Sequence, residues 1–309
     1  MTAPTIVTLP DGVTVVVAVW GGKGGLGKTT TAERLALLLG LLGYKVLFID
    51  ANIDQRSGEA VYQQYLKVGY NPPYDFALTE DFELIGKART LGYHFVIVDC
   101  PPSKREADGA LKQADFVLAP FTPKWMETKA ITMALANTIQ PLNKPYKVLF
   151  VGVGNHDKAE ARTSREAFAG FDVPVYDVTV RLYKGHQKSQ ARGLPLFLDE
   201  ASAYLTGRAP TAKKERSTAP FEFDPDDYSI EQWHEACLLH YHDEDMPGSH
   251  DECRIPLREP DGTVSQPALD AIADQVGGSF AAAADDYREF YREFIIDIRQ
   301  HFGEKAGNG

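Results

Sequence analysis

A glycine-rich segment between an apolar run and a helical pattern constrains the fold of this chain more than any other feature. Residues 19–35 read VWGGKGGLGKTTTAERL, in which Gly22, Gly27, Lys28 and Thr29 fit the pattern G-x-x-x-x-G-K-[ST]. Such glycines let backbone N–H groups turn inward around phosphates, and the following helix adds the positive end of its dipole. We therefore predict a phosphate-binding loop, with Lys28 on the phosphates and the Thr29 hydroxyl on Mg²⁺.

Apolar runs rich in β-branched residues alternate with helical patterns over the first two thirds of the chain. The runs cover residues 13–20, 45–50, 94–100, 115–121, 146–154 and 174–180, with helix-like segments at 30–43 and 161–171 among them. Continuous apolar runs are typical of strands that are buried on both faces. The pattern predicts an α/β fold with a doubly wound, mostly parallel sheet, in which ligands bind at the carboxyl ends of strands.

One of these runs ends in a carboxylate. The segment YHFVIVDCPPS places Asp99 at the end of a strand, directly before Cys100 and two prolines. A strand-terminal aspartate is often only a turn former or a helix cap. Because the glycine loop lies upstream, we interpret Asp99 as the Walker B carboxylate that holds Mg²⁺, usually through water.

Charge divides the chain into two parts. Residues 1–214 carry 25 Lys and Arg against 21 Asp and Glu, whereas residues 215–309 carry 7 against 22. The first part can therefore offer a basic face although the net charge of the whole chain is −11. We predict a phosphate-loop domain over 1–210 and a smaller, acidic, mainly helical extension over 211–309, joined by a linker at 206–220 that is rich in Pro, Thr, Ala and Lys.

The extension ends in an amphipathic pattern. Apolar residues recur at three- and four-residue steps at Phe280, Tyr287, Phe290, Tyr291, Phe294, Ile298 and Phe302, which predicts a long terminal helix. Its apolar face is interpreted as the core of the extension, as a contact surface for a partner or a second copy, or as a membrane-surface helix. The acidic polar face disfavours the membrane interpretation.

A cluster of potential metal ligands lies upstream of that helix. It consists of His234, Cys237, His240, His242, His250 and Cys253. Nitrogen and sulfur ligands suit Zn²⁺, but the spacing matches no common zinc signature. A zinc site and an acidic surface or packed segment both remain open.

Nothing in the sequence indicates export. No stretch of 18 or more apolar residues exists, and the first residues lack the charged and hydrophobic blocks of a signal peptide. Three scattered cysteines do not form a disulfide framework. We therefore expect a cytoplasmic protein without a membrane partner.

Several of these motifs together resemble one family. Residues 23–30, KGGLGKTT, resemble the deviant Walker A box K-G-G-x-G-K-[ST] of the ParA/MinD superfamily of partition and positioning ATPases. KVLFIDAN at 45–52 resembles its second acidic box, and FVIVDCPPS at 95–103 its Walker B segment. Residues 114–123 and 181–200 are more loosely similar to later segments of ParA-type proteins. The resemblance covers roughly 13–205 and is to the small type, which lacks an N-terminal helix-turn-helix domain.

The resemblance implies a set of site residues. Contacts to ATP are implied for Gly22, Lys23, Gly24, Gly25, Leu26, Gly27, Lys28, Thr29, Thr30 and Asn155. Metal contacts are implied for Thr29, Asp50 and Asp99, and roles in hydrolysis for Lys23, Lys28, Asp50 and Asn52. In the family, the lysine at position 23 reaches the phosphates bound by a second subunit. The residues alone leave open whether Lys23 acts within its own chain, across a dimer or only as an exposed loop lysine.

The second acidic box departs from the family pattern D-x-D. Asn52 stands where the second carboxylate is usual, and an amide can orient a water molecule but cannot accept its proton. Phosphoryl transfer depends more on positioning and charge neutralisation than on a strong base. We therefore predict slow turnover, with Asp50 or Asp54 as the remaining carboxylate.

A basic segment makes DNA binding possible. Arg181, Lys184, Lys188 and Arg192 lie close together in the chain, and such clusters contact backbone phosphates. A solvated basic face is the alternative. The resemblance implies a Mg-ATP-dependent homodimer that binds DNA non-specifically, associates with the nucleoid and, with a ParB-like adaptor, segregates a plasmid, phage or chromosomal cargo. A metal-cluster carrier or reductase and a tyrosine-kinase relative from the same superfamily are the alternatives.

Overall fold

Seven parallel strands form a single sheet in the part of the chain that the structure describes. The structure is a computed structural model and describes residues 9, 12–67, 70–193, 195–197 and 266–302, without the side chains at 125–127, 188, 191–192 and 266–280. The strands are β1 (Val15–Val19), β2 (Val46–Asp50), β3 (Asp75–Leu78), β4 (Phe95–Asp99), β5 (Phe116–Phe121), β6 (Tyr146–Val153) and β7 (Val175–Arg181). They lie in the order β3-β2-β4-β1-β5-β6-β7, and each pair is parallel.

Helices follow the strands and cover both faces of the sheet. They are α1 (Lys28–Leu41), α2 (Ser57–Lys67), α3 (Glu83–Thr90), α4 (Lys104–Gln113), α5 (Trp125–Thr138), α6 (Lys158–Ala169), α7 (Lys184–Arg192) and α8 (Gln266–Phe302). In β1, Val15, Val17 and Val19 point into the core on one face, and Val16 and Ala18 into the core on the other. The predicted doubly wound parallel sheet is confirmed. None of the described helices combines the length and apolar character that crossing a membrane requires.

The sequence missed strand β3. It is only four residues long, it pairs with β2 at the edge of the sheet, and its side chains are half-buried or exposed. A short edge strand carries no continuous apolar run, so the pattern that identified the six other strands is absent here.

Helix α8 packs into the core of the α/β unit. The ring of Phe294 is fully buried, 6.4 Å from the ring of Phe95 and 6.1 Å from that of Phe116, and Phe290 lies 5.1 Å from Tyr176. The sequence pattern predicted this helix but placed it in a separate extension. In the structure, residues 281–302 instead pack on strands β4, β5 and β7. The aromatic side chains along one side of α8 contact aromatic side chains of these strands. The boundary near 210, the linker at 206–220 and the His/Cys cluster lie outside the described residues.

Acidic side chains of α8 bind the edge strand β7. Glu293 accepts hydrogen bonds from the backbone N–H groups of Asp177 and Val178, each at 2.8 Å. Asp286 accepts one from the backbone N–H of Arg181 at 2.8 Å and forms an ion pair with the guanidinium of the same residue. These carboxylates satisfy donors that an edge strand otherwise leaves without a partner strand.

A buried ion pair joins α1 to α2 and α7. Arg34 Nη1 lies 2.9 Å from Glu33 Oε2, and both side chains are completely buried. The Tyr65 hydroxyl of α2 accepts a hydrogen bond from Arg34 and donates one to Glu33, and Arg34 Nη2 donates to Ser189 Oγ of α7 at 2.8 Å. Hydrogen bonds with Tyr65 and Ser189 offset part of the cost of burying this ion pair, although Arg34 Nε has no hydrogen-bond partner among the described residues. The shared contacts connect α1, α2 and α7.

We predict that His186 of α7 makes the free energy of unfolding depend on pH. Burial and the nearby Arg34 guanidinium lower the pKa of its imidazole from 6.5 to about 4. Between pH 6.5 and pH 4 the imidazole of the unfolded chain is protonated, whereas that of the folded chain stays neutral. The contribution of His186 to the free energy of unfolding is therefore complete above pH 6.5 and is lost as the pH falls toward 4. Between about pH 7 and pH 5 the wild-type protein should lose about 2 kcal/mol more of its free energy of unfolding than His186→Gln. Urea unfolding at both pH values measures the difference, and equal losses in the two proteins would contradict the prediction.

Candidate nucleotide-binding site

The glycine loop connects β1 directly to α1 at the carboxyl edge of the sheet. Gly27 immediately precedes the helix with φ of 71°, and Gly22 has φ of 63°. Positive φ favours glycine at both positions. A Cβ at Gly22 would also lie 3.2 Å from the Ala134 Cβ and 3.3 Å from the Trp20 ring. The turn therefore depends on glycine, as the sequence pattern predicts.

Lys28 is held inside this loop. Its side chain is 8% exposed, and its Nζ donates a hydrogen bond to the Lys23 carbonyl oxygen at 2.8 Å. Burial lowers the pKa of the ammonium group, and the nearby Asp99 carboxylate opposes that shift. The cation is thus positioned before a ligand arrives.

Thr29 and Asp99 meet at the start of α1 and the end of β4. The Thr29 hydroxyl donates to Asp99 Oδ2 at 2.5 Å, and the Asp99 side chain is almost completely buried. Burial raises the pKa of Asp99 to about 7, Asp50 adds to the shift, and Thr29 and Lys28 oppose it. Among the described residues, Asp99 Oδ1 is buried without a hydrogen-bond donor. An unsatisfied carboxylate oxygen beside a hydroxyl is the oxygen-rich environment that Mg²⁺ prefers, so these residues fit the predicted metal site.

Asp50 lies beside Asp99 in the parallel pairing of β2 and β4. Its side chain is fully buried, and its two oxygen atoms accept three backbone hydrogen bonds, from Asn52, Gly58 and Glu59. The structure thus brings Asp50 close to the metal residues, but with its oxygens already bound to the protein. Sequence reasoning missed the contribution of Gly58.

Asn52 and Asp54 lie on the loop that follows β2. The Asn52 side-chain amide donates to Gln55 Oε1 at 3.1 Å, and Asp54 is exposed. Asn52 is half-buried, and both residues follow the end of the strand that carries Asp50.

The other residues implied for ATP surround the same edge of the sheet. Lys23, Gly24 and Gly25 are exposed in the loop, whereas Leu26 is buried. Thr30 Oγ1 lies 3.3 Å from Gln190 Nε2 of α7, a contact that sequence reasoning missed because no motif contains Gln190. Asn155 is exposed directly after β6. The residues implied for ATP and the metal thus lie at or after the ends of β1, β2, β4 and β6, at the carboxyl edge of the sheet.

One residue of the basic segment, Arg181, is paired with a carboxylate of α8. The Arg181 guanidinium forms a hydrogen-bonded ion pair with Asp286 at 2.5 Å and lies over the ring of Tyr183. Arg181 therefore anchors α8. Lys184 is exposed at the start of α7, and the side chains of Lys188 and Arg192 lie outside the described set.

If the protein carried a metal cluster, Cys100 would be the candidate ligand in the phosphate-loop domain. Its thiol is fully buried and donates to the Val98 carbonyl oxygen, and burial raises the pKa of the thiol well above its usual range. Since cluster ligation requires an accessible thiolate, this residue gives the alternative no support.

Comparison with known proteins identifies similar chains. The family model described as "CobQ/CobB/MinD/ParA nucleotide binding domain" matches residues 17–196. The "Chromosome partitioning protein ParA" of Caulobacter vibrioides is 26% identical over 255 residues, covering 65% of this chain and 95% of that protein. The "Maintenance of carboxysome distribution protein A" of Gloeobacter kilaueensis is 28% identical over 185 residues, covering 59% and 83%. The solved structure of the MinD cell division protein of Aquifex aeolicus shares the fold, with a TM-score of 0.50, 18% identity and coverage of 64% and 100%.

Proposed function

Since the chain belongs to the CobQ/CobB/MinD/ParA nucleotide-binding domain family, we propose that it is a positioning or partition ATPase. In this proposal it binds Mg-ATP, dimerises through the bound nucleotide, binds DNA non-specifically and distributes a plasmid, phage or chromosomal cargo with a ParB-like adaptor. Slow hydrolysis resets the cycle. The similarity to proteins named for chromosome partitioning and carboxysome distribution supports a positioning role.

One observation carries the proposal: Lys28, Thr29 and Asp99 converge at the end of β1 and β4. Thr29 and Asp99 would hold Mg²⁺, and the N–H groups at the start of α1 would bind the phosphates together with Lys28. When bound, the metal supplies neutralisation of the phosphate charge. Burial of Lys28 and Asp99 strengthens their electrostatic interactions, because little water screens them.

Lys23 is the residue that would make dimerisation depend on bound ATP. Its side chain is exposed and its carbonyl oxygen holds Lys28, so Lys23 lies at the surface of the phosphate loop. A cation beside a polyphosphate strengthens binding. Together with the resemblance to the deviant Walker A box, this exposure supports ATP-dependent dimerisation.

Lys23→Ala tests the dimeric switch. We expect the wild-type protein to dimerise and bind DNA only with ATP and Mg²⁺, and the variant to stay monomeric while it still binds the nucleotide. Analytical ultracentrifugation and a DNA-binding titration measure both properties. Lys112→Ala, which removes an exposed lysine paired with Asp108 on α4, is the matched control. Wild-type DNA binding that is indifferent to ATP would contradict the switch.

Asn52→Asp tests the proposed cause of slow hydrolysis. Because an aspartate can accept the proton of the attacking water, we expect the variant to hydrolyse ATP about tenfold faster or more. Steady-state phosphate release at saturating Mg-ATP measures the rate. An unchanged rate would mean that position 52 does not contact the attacking water.

A further inference from the structure

Asp50 connects the two ends of the loop formed by residues 51–56. At the start of the loop, its Oδ1 accepts a hydrogen bond from the backbone N–H of Asn52 at 3.0 Å. At the end, its Oδ2 accepts hydrogen bonds from Gly58 and Glu59 in the first turn of α2, at 2.8 and 3.1 Å. A single buried carboxylate therefore both caps α2 and closes the loop.

Gly58 allows this close approach. A Cβ at position 58 would lie 2.9 Å from Asp50 Oδ2, 3.2 Å from Asp50 Cβ and 3.1 Å from the end of the Phe48 ring. No larger residue can occupy position 58 unless the Asp50 carboxylate moves. The short distance between the helix and Asp50 thus depends on the absence of a side chain.

The loop is also held by contacts of its own. The backbone N–H of Arg56 donates to the Asn52 carbonyl oxygen at 2.8 Å, and Arg56 adopts φ of 48°. Helix α2, which forms the base of the loop, is fixed to α1 through the Tyr65 hydroxyl and the Glu33–Arg34 pair. The position of Asn52 relative to the phosphate loop therefore depends on the contacts of Asp50.

The two neighbouring carboxylates of the site differ in what their oxygens bind. Asp99 has a buried oxygen without a donor among the described residues, whereas both oxygens of Asp50 accept backbone hydrogen bonds. A carboxylate offers about four lone-pair sites, and backbone donors occupy three of those of Asp50. Asp99 thus has a whole oxygen left for a metal, whereas most of the acceptor capacity of Asp50 holds the protein itself.

We propose that Asp50 is a positioning residue, whose hydrogen bonds orient Asn52 and the rest of loop 51–56 beside the phosphate site. The part of this inference that concerns Asn52 and hydrolysis rests on the proposed ATPase function. The part that concerns the loop does not, so the two can fail separately.

The first experiment is thermal unfolding of the protein without nucleotide and in the presence of a chelator. Asp50→Asn places an amide against N–H donors, and Gly58→Ala displaces the same carboxylate. Each should lower the Tm by about 5 °C or more, because hydrogen bonds to a buried charged group are lost. An unchanged Tm in both variants would overturn the proposal, because the three backbone hydrogen bonds of Asp50 would then contribute nothing measurable to stability. Asp54→Asn, an exposed carboxylate of the same loop, is the control and should not change the Tm.

The second experiment separates the loop from global stability. Arg56 is an exposed trypsin site on the loop, and Arg162 is an exposed site on α6. We expect Asp50→Asn and Gly58→Ala to increase cleavage after Arg56 about tenfold more than cleavage after Arg162, which reports the change in global stability. Equal increases at both sites, or no increase at Arg56, would overturn the proposal.

The third measurement links the loop to hydrolysis. Gly58→Ala should lower kcat about tenfold and leave the affinity for Mg-ATP within twofold of wild type, because the phosphate loop is intact. A loss confined to Mg-ATP affinity would overturn the positioning role. If the wild-type protein does not hydrolyse ATP, the proposed function fails, and unfolding and proteolysis still decide the role of Asp50 in the loop.

Discussion

Replacing Phe294 by alanine will lower the free energy of unfolding by about 3–5 kcal/mol, the usual cost of removing a fully buried phenylalanine. The ring is completely buried and packs between Phe95 of β4 and Phe116 of β5, so the change leaves a cavity at the centre of the sheet. The loss is large against the 5–15 kcal/mol that stabilise a typical domain. Urea unfolding of the full-length protein measures it.

Ile296→Ala on the same helix is the matched control. The Ile296 side chain is 53% exposed, so its loss should cost no more than about 0.5 kcal/mol. Both substitutions shorten an apolar side chain in one helix and differ mainly in burial. If the two variants were equally stable, α8 would not pack on the sheet in solution.

Lys28→Met will abolish ATP hydrolysis by this protein, with a fall in kcat of roughly 100-fold or more. Methionine keeps most of the length and the apolar part of the side chain but removes the cation that lies at the phosphate loop. Nucleotide affinity should fall by about 10- to 100-fold, since charge-assisted hydrogen bonds to the phosphates are lost. Titration calorimetry with a non-hydrolysable ATP analogue and a phosphate-release assay measure the two effects.

Lys112→Met controls for the loss of a lysine as such. That side chain is exposed and paired with Asp108, and its replacement should change neither affinity nor rate. Circular dichroism of Lys28→Met establishes that the variant is folded. Nucleotide affinity equal to that of wild type would mean that the phosphates do not bind where Lys28 lies.

The sequence predicted the features of the fold that arise from local patterns. Six of the seven strands and the loop between β1 and α1 are confirmed, because each has a continuous apolar run or a glycine pattern with a direct physical cause. Strand β3 lacked such a run. The terminal helix was predicted from its periodicity, but periodicity describes only which face is apolar and not what covers it.

In the candidate site, too, the sequence predicted those features that arise from local motifs. Lys28, Thr29 and Asp99 converge as the motifs indicate. The contacts of Asp50 were not predictable, because they depend on backbone N–H groups in the next helix, which no side-chain motif records. For Arg181, the sequence showed a cation in a basic segment, but its partner Asp286 lies 105 residues away in the chain.

The contacts between α8 and β7 also determine how this protein can misassemble. Glu293 and Asp286 accept hydrogen bonds from three backbone donors of β7, the strand at one edge of the sheet. Detachment of α8 would uncover those donors together with the aromatic face beneath the helix, which is the combination that promotes edge-to-edge aggregation. We therefore expect variants that loosen α8 to form oligomers through β7.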